Sequence, residues 1–352
     1  MPIPRKSDPV SSATSNASQD NNHFYFPVLA VVIPAYCAEQ QILKVLAGIP
    51  AFVSFVVVVD DGSPDRTSEL VRNQTDSRVY LISHQTNQGV GGAVLTGYKK
   101  AADLGAEIIV KMDSDDQMDP QYILPLITPI LTDQSDYTKG NRFLHINLLQ
   151  SMPLIRRIGN AGLSFLTKVA SGYWNIFDPT NGYTAIHASI IPLLETGKIH
   201  KRYFFEISML IELGVLRAVI RDVYIPARYQ NETSSLSEWK TMLEFPPLLL
   251  IGFLRRFFLQ YFIRDFGVVP ILFLFGICLC LFGVVFGSYH WYLSSQLVTP
   301  ASTGTVMLAV LPLIMGFQLL MQALIADIQN IPTEPLHIQI ANIKRLIKNL
   351  RK

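Results

Sequence analysis

Charge is what this sequence has least of. Only 16% of its 352 residues are Asp, Glu, Lys or Arg, well below the ~25% of ordinary soluble domains. The shortage is concentrated, because no charged residue occurs anywhere in 266–326. That window fits two membrane-crossing helices of ~20 residues and a short loop, which argues against a wholly soluble enzyme. Cysteine is scarce as well: Cys37, Cys278 and Cys280 are the full set. Two of them fall in the apolar window, so no disulfide framework is expected, and the soluble part suits a reducing compartment. Residues 1–26 are rich in Ser, Asn, Asp and Pro. They lack the apolar core of a signal peptide and are expected to form a disordered tail. No internal repeat is found. The net charge of +2 gives no electrostatic case for nucleic acid as a partner.

What is present is an alternation of strand and helix signals between the tail and the apolar window. β-branched apolar runs at 28–33, 54–59, 79–83 and 107–112 are separated by helical stretches at about 39–49, 64–73 and 91–104. Strand, helix and strand at these lengths predict an α/β fold, a mostly parallel sheet with helices on both faces. Such sheets bind ligands at the carboxyl ends of their strands. The polar residues at those ends are Tyr36 and Glu39, Asp60 and Asp61, Asn87, then Asp113 and Asp115.

The fourth strand runs into Asp113-Ser114-Asp115-Asp116-Gln117. On an extended backbone, alternate side chains share a face, so Asp113, Asp115 and Gln117 would point together. Two carboxylates and an amide oxygen suit Mg²⁺ or Mn²⁺, which fills its other positions with water and substrate phosphate. The plainer reading is a polar loop, with Asp119 capping the helix that Pro120 opens. Asp60-Asp61-Gly62-Ser63 fits an ordinary turn equally well. The glycines of Asn87-Gln88-Gly89-Val90-Gly91-Gly92 open a helix where backbone can approach phosphate or ribose, but their spacing is not that of a dinucleotide fingerprint.

In this order and spacing, VVIPAYCAE, VVDDGSPDRT, NQGVGGAVLTGYKKA and DSDDQ resemble the family 2 glycosyltransferases with the GT-A fold. GNRF at 140–143, DPTNGYTAI at 178–186, FFEISML at 204–210 and PARYQNETSSL at 226–236 narrow the resemblance. They are similar to the dolichol-phosphate mannose synthase group, and most of all to its bacterial GtrB-type polyisoprenyl-phosphate glycosyltransferases. The resemblance covers about 28–240. It implies an inverting, non-processive transfer of a sugar from a nucleotide sugar to the phosphate of a membrane polyprenol. By position it implies that Pro34, Tyr36, Glu39 and Asp61 hold base and ribose. Asp113 and Asp115, with Gln117 as a further ligand, would hold Mg²⁺ or Mn²⁺ and the donor. Asp178 falls in the acceptor-side motif. Arg142, one of Arg156 and Arg157, and Arg228 would face phosphates. The best guess from the resemblance is UDP-glucose and undecaprenyl phosphate at a bacterial inner membrane. GDP-mannose, a UDP-N-acetylhexosamine and a modified arabinose remain open as donors. A non-catalytic lipid-binding scaffold is the alternative of a different class. The QxxRW string of processive synthases is absent.

The chain therefore divides into the tail 1–26, a catalytic domain 27–236, interfacial helices 237–265, spans at about 267–289 and 304–326, and a basic tail 327–352. The run 248–263 carries Arg255 and Arg256. Each would cost ~2.5–3.5 kcal/mol at mid-bilayer, so an interfacial helix is expected, with arginines at the headgroups; the plainer alternative is a helix packed on the soluble domain. The loop 290–303 has no Lys or Arg, whereas the tail has Lys344, Arg345, Lys348, Arg351 and Lys352, which predicts cytoplasmic termini. Leu336, Ile340, Ile343, Ile347 and Leu350 form a short apolar stripe. It reads either as a basic amphipathic helix on lipid or as a contact in a homo-oligomer.

Overall fold

The computed structural model describes residues 26–142, 154–226, 238–297 and 299–350. Its first half repeats strand and helix: β1 (Leu29–Ala35), α1 (Ile42–Gly48), β2 (Phe55–Asp60), α2 (Thr67–Arg72), β3 (Val79–Ser83), α3 (Val90–Asp103) and β4 (Ile108–Lys111). Each of the four strands lies within a residue or two of its predicted run. The chain continues through α4 (Ile123–Leu131), β5 (Tyr137–Asn141), α5 (Leu154–Ser171), β6 (Thr184–His187), α6 (Phe205–Leu216) and β7 (Ile220–Tyr224).

The seven strands form one sheet in the order β3-β2-β1-β4-β6-β5-β7. β6 pairs antiparallel with both β4 and β5, and every other pairing is parallel. The mostly parallel α/β sheet that the sequence predicts is thus the one observed. All seven residues of β1 are buried, as a strand covered on both faces requires. Leu29, Val31 and Ile33 enter one core with residues of α1 and α4, while Ala30 and Val32 enter the other with α3 and α6. Gly97 of α3 lies directly on Val32, and its missing side chain lets that helix sit close to the sheet.

The reversed strand decides where the functional loops meet. Because β6 runs against its neighbours, the segment entering it, 178–183, lies at the edge where β1, β2, β4, β5 and β7 end.

Beyond the sheet come α7 (Glu238–Phe258), prolonged by a π-helical turn over Leu259–Arg264, then α8 (Val268–Leu297), α9 (Thr303–Gln329) and α10 (Leu336–Leu350). Stretches Glu244–Arg264, Val268–Leu297 and Thr303–Gln329 are long and apolar enough to cross a membrane, by length and composition. α8 and α9 lie against each other where Gly276, Gly283 and Gly316 permit close backbone approach, the usual device for helix contact in lipid. Ser302 caps α9, its Oγ accepting from Thr305 N at 3.2 Å.

The expected headgroup arginines are corrected here. Arg256 is 1% exposed, and all five of its N–H groups have acceptors. Asp327 at the end of α9 accepts at 2.8 and 3.0 Å, Gln260 at 3.1 Å, and the carbonyls of Ala170 and Val169 at 3.0 and 2.9 Å. Arg255 pairs with Glu212 of α6 at 2.6 Å and with Glu195 at 3.1 Å. Phe245 and Leu249 of α7 pack with Ala170, Phe204, Ile207 and Ile211. The cost of burying the guanidiniums is offset by partners on the sheet domain, which an insertion scale for an isolated helix does not include.

The start of α10 is docked on the sheet domain. Asp136, 0% exposed, accepts from the backbone N–H of Leu336 and His337 at 2.9 and 2.8 Å and from Val219 N at 2.8 Å. The His337 ring lies 2.8 Å from Asp136 and 3.1 Å from Asp133, and it stacks on His187 with centroids 4.5 Å apart. Farther along α10, Ile343, Leu346, Ile347 and Leu350 are exposed.

Candidate active site

The carboxyl edge of the sheet gathers most of the residues singled out in the sequence. Pro34 lies in β1 opposite Val59. Tyr36 follows the strand and is 52% exposed. Cys37 turns the chain in the left-handed region at φ 53°, with its N–H donating to Ser63 Oγ at 3.0 Å. Glu39 is exposed and accepts from Arg66 N at 3.2 Å. Tyr36 and Glu39 therefore stand at the mouth where β1 and β2 end.

Asp61 is different, being 3% exposed. It accepts from the backbone N–H of Gln88 at 2.9 Å and of Gly89 at 2.7 Å, and the His84 ring lies 2.7 Å away. The carboxylate thus holds the glycine turn that opens α3, where Gly89 adopts φ 90°. Any contact of Asp61 with a ligand is made by a side chain that already anchors this turn.

The acid segment is not the extended strand that the alternation argument assumed. β4 ends at Lys111, residues 114 and 115 form a turn, and Asp116 lies in the left-handed region at φ 61°. Burial does not sort the side chains as that argument expects, because Ser114 is half-buried like its neighbours. Asp113, Asp115 and Gln117 are half-buried, whereas Asp116 is buried and pairs with Lys44. Asp115 Oδ1 accepts from Gln117 N at 3.0 Å, which closes the turn. Asp119 caps the helical turn beginning at Pro120, accepting from Gln121 N at 3.1 Å.

Across the edge, Arg142 follows β5 and Asp178 lies in the segment entering β6. Arg142 Nε donates to Asp178 Oδ2 at 2.8 Å and Nη2 to Oδ1 at 3.1 Å, the two-point geometry that makes such pairs strong. Arg157 lies on α5 and is exposed. The Arg156 side chain and Arg228 lie outside the described residues. Phe177, next in sequence to Asp178, is exposed, and Lys168 sits over its ring at 4.4 Å.

Several charged residues of this edge went unnoticed in the sequence. Lys111 is 1% exposed and lies 2.8 Å from Asp113 and 3.0 Å from Glu206. Burial alone would lower its pKa, but the two carboxylates outweigh that and hold it above its ordinary value. Lys139 of β5 is 0% exposed and donates to the Asn181 carbonyl. Burial lowers its pKa to about 8. Asp222 of β7 accepts from Phe177 N at 2.8 Å and Asn141 Nδ2 at 3.0 Å, and burial raises it to about 6. A lysine closing the apolar strand Ile108-Ile109-Val110-Lys111 was the available signal for the first of these.

The donor set of Asp113, Asp115 and Gln117 suits a hard divalent ion that completes its shell with water and phosphate. Asp113 Oδ1 is buried with the Lys111 ammonium 2.8 Å away, so this carboxylate is already shared with a fixed positive charge. Among the described residues, no three His, Cys, Asp or Glu side chains converge into a metal cage.

Comparison with known proteins gives the following. The profile described as "Glycosyl transferase family 2" matches residues 30–192. The chain is 35% identical over 191 residues to a UDP-N-acetylglucosamine–dolichyl-phosphate N-acetylglucosaminyltransferase of Methanococcus voltae, covering 50% of this chain and 76% of that protein. It is 28% identical to an undecaprenyl-phosphate mannosyltransferase of Micrococcus luteus, covering 55% and 81%. A crystal structure of glucosyl-3-phosphoglycerate synthase from Mycobacterium tuberculosis aligns with a TM-score of 0.48 and 20% identity over 65% of this chain and 80% of that one.

Proposed function

We propose, for a chain that belongs to glycosyl transferase family 2, that it moves a hexose from a nucleotide sugar to the phosphate of a membrane polyprenol, with inversion at the anomeric carbon. The observation that carries this reading is the convergence of the Asp113–Asp115 turn and the Arg142–Asp178 pair on one sheet edge, in a chain that continues into three stretches long and apolar enough to cross a membrane.

The chemistry of the acceptor explains why that set suffices. Its nucleophile is a phosphate monoester with a second pKa of ~6, already largely dianionic at neutral pH. Such a nucleophile needs no general base. The site must instead supply positive charge so that two phosphate-bearing substrates can approach. Arg142 would contribute through the N–H groups that Asp178 leaves over, and Asp178, with both oxygens on the Nε and Nη2 side of that guanidinium, orients the arginine rather than removing a proton. Arg157, or Arg156 beside it, and Arg228 are assigned to the same phosphates. Tyr36, Glu39 and Pro34 border the base and ribose, with Asp61 behind them holding the glycine turn. Asp113 and Asp115, with Gln117 beside them, would hold Mg²⁺ or Mn²⁺, whose contribution there is to neutralise the departing diphosphate. The exposed Phe177, next in sequence to Asp178, gives the acceptor's apolar chain a surface there.

UDP-glucose is the first donor to test and undecaprenyl phosphate the first acceptor. UDP-N-acetylglucosamine is the second donor, favoured by the 35% identical relative named for it. We assign the sheet domain and the basic tail to the cytoplasmic side, a reading that the Lys and Arg bias of the tail over the 290–303 loop supports. The deciding experiment incubates purified protein with radiolabelled UDP-glucose, UDP-N-acetylglucosamine or GDP-mannose and a polyprenyl phosphate. Label in the organic phase supports the reading and names the donor. No label from any donor overturns it.

A further inference from the structure

Behind the acid turn lies a set of buried charges that no step above uses. The Lys111 ammonium sits between Asp113 Oδ1 at 2.8 Å and Glu206 Oε1 at 3.0 Å. Glu206 stands in the first turn of α6, so it reaches the sheet edge from the helix layer. It also acts on Lys139, for which it is the strongest of the facing acids. The backbone of the 178–183 segment closes the arrangement: a Cβ on Gly182 would lie 2.5 Å from Lys111 Nζ and 2.6 Å from Asp113 Oδ2.

A buried ammonium is a poor stabiliser, because an apolar side chain of similar volume fills the same space without the desolvation penalty. What Lys111 supplies and methionine would not is a fixed positive point against one oxygen of Asp113. The sign of the charge balance matters as well. Lys111 with Asp113 alone would be neutral and would compete with any cation for that carboxylate. With Glu206 added, the trio carries one net negative charge.

We propose that Lys111 and Glu206 are positioning residues for Asp113: Lys111 fixes the orientation of the carboxylate, and Glu206 shares the ammonium so that Asp113 keeps its negative character toward a cation. This rests on the reading of Asp113 and Asp115 as the cation-holding pair. The two residues then act in opposite electrostatic directions on one ligand, although both are needed for turnover.

The test measures Mn²⁺ affinity of the full-length protein in detergent by electron paramagnetic resonance, with saturating UDP and, in a parallel series, GDP. Turnover and thermal denaturation are followed alongside. Lys111→Met leaves two negative charges and is expected to tighten Mn²⁺ about tenfold while lowering kcat, because Asp113 loses its tether. Glu206→Gln leaves no net charge and is expected to weaken Mn²⁺ about tenfold. The double variant returns affinity to within about twofold of wild type while turnover stays low. Shifts in the same direction, or no shift in either single variant, overturn the proposal. If Lys111→Met does not fold, the isosteric Glu206→Gln decides alone: weaker Mn²⁺ supports the proposal, and unchanged or tighter Mn²⁺ sinks it. Asp115→Ala separates the two levels. If it leaves Mn²⁺ binding intact, or if wild type binds none in either series, the cation-site reading itself falls.

Discussion

Arg142 and Asp178 are joined at two points, yet the carboxylate is fully buried while the arginine side chain is 37% exposed. The asymmetry assigns their roles, since the buried member holds and the exposed member meets the ligand. Asp178→Asn keeps one acceptor oxygen and should lose roughly 10–100-fold in kcat. Arg142→Ala should lose on the order of 10³-fold, as removal of a preorganised charge contact does. Arg142→Lys should recover only part, because the fork is gone. The mechanism fails if Asp178→Asn is inactive while Arg142→Ala remains active.

The acid turn is expected to matter for chemistry and little for folding. Asp115 is half-buried at a strand end, so Asp115→Ala should leave the melting temperature within a few degrees and reduce turnover by about 10²-fold or more. Chelation with EDTA should abolish activity, and Mg²⁺ or Mn²⁺ should restore it. Near-normal turnover of Asp115→Ala in Mg²⁺ would contradict the site assignment.

A phosphate monoester has a second pKa of ~6, and burial raises Asp222 of the proposed site to about 6 as well. If the phosphate is the nucleophile, the acid limb of the kcat profile belongs to it. Asp222→Asn should then leave the limb in place, and disappearance of the limb would assign it to the protein.

The α10 latch has a pH signature. Burial opposes charge on His337, but Asp136 and Asp133 outweigh it and raise its pKa. Burial likewise opposes charge on Asp136, yet His337 and the backbone donors lower its pKa. His187, stacked on His337 and facing Asp136, Glu107 and Asp133, is pushed down to about 4 chiefly by burial and then by His337. A raised histidine contributes below its unfolded pKa of ~6.5 and loses that contribution as pH rises through the folded value. His337→Asn should therefore lower the melting temperature more at about pH 5.5 than at about pH 8.5, with residues 336–350 cleaved sooner by protease. Equal effects at both pH values would remove the ionic part of the latch.

The buried Arg256–Asp327 pair should be unequal to its parts. Either Arg256→Met or Asp327→Asn alone leaves an uncompensated buried group and should cost about 3–5 kcal/mol. The double variant should recover part of that loss in a thermal-denaturation cycle. Strict additivity would mean the two groups do not depend on each other.

The sequence carried the strands and the edge where they end, because β-branched runs and turn residues act locally. It carried Tyr36, Glu39, Asp113 and Asp115 for the same reason. It did not carry the closed environment of Asp61, which depends on a glycine turn 27 residues away. Lys111, Glu206 and Lys139 were invisible because their meaning lies in contacts between β4, β5 and α6. The headgroup expectation for Arg255 and Arg256 failed on the same ground. Hydropathy treats a helix as isolated, and the acceptors that bury Arg256 come from α5 and the end of α9.

The five acceptors of Arg256 also impose an order on how the molecule is made. Its carboxylate partner lies 71 residues further along the chain, in the last turn of the last apolar helix. During synthesis, which proceeds from the N-terminus, the guanidinium emerges before the residue that neutralises it. The junction between sheet domain and anchor is therefore completed only after the last apolar helix has left the ribosome. A ribosome stalled within 303–329 would hold a domain whose base still carries an unanswered charge.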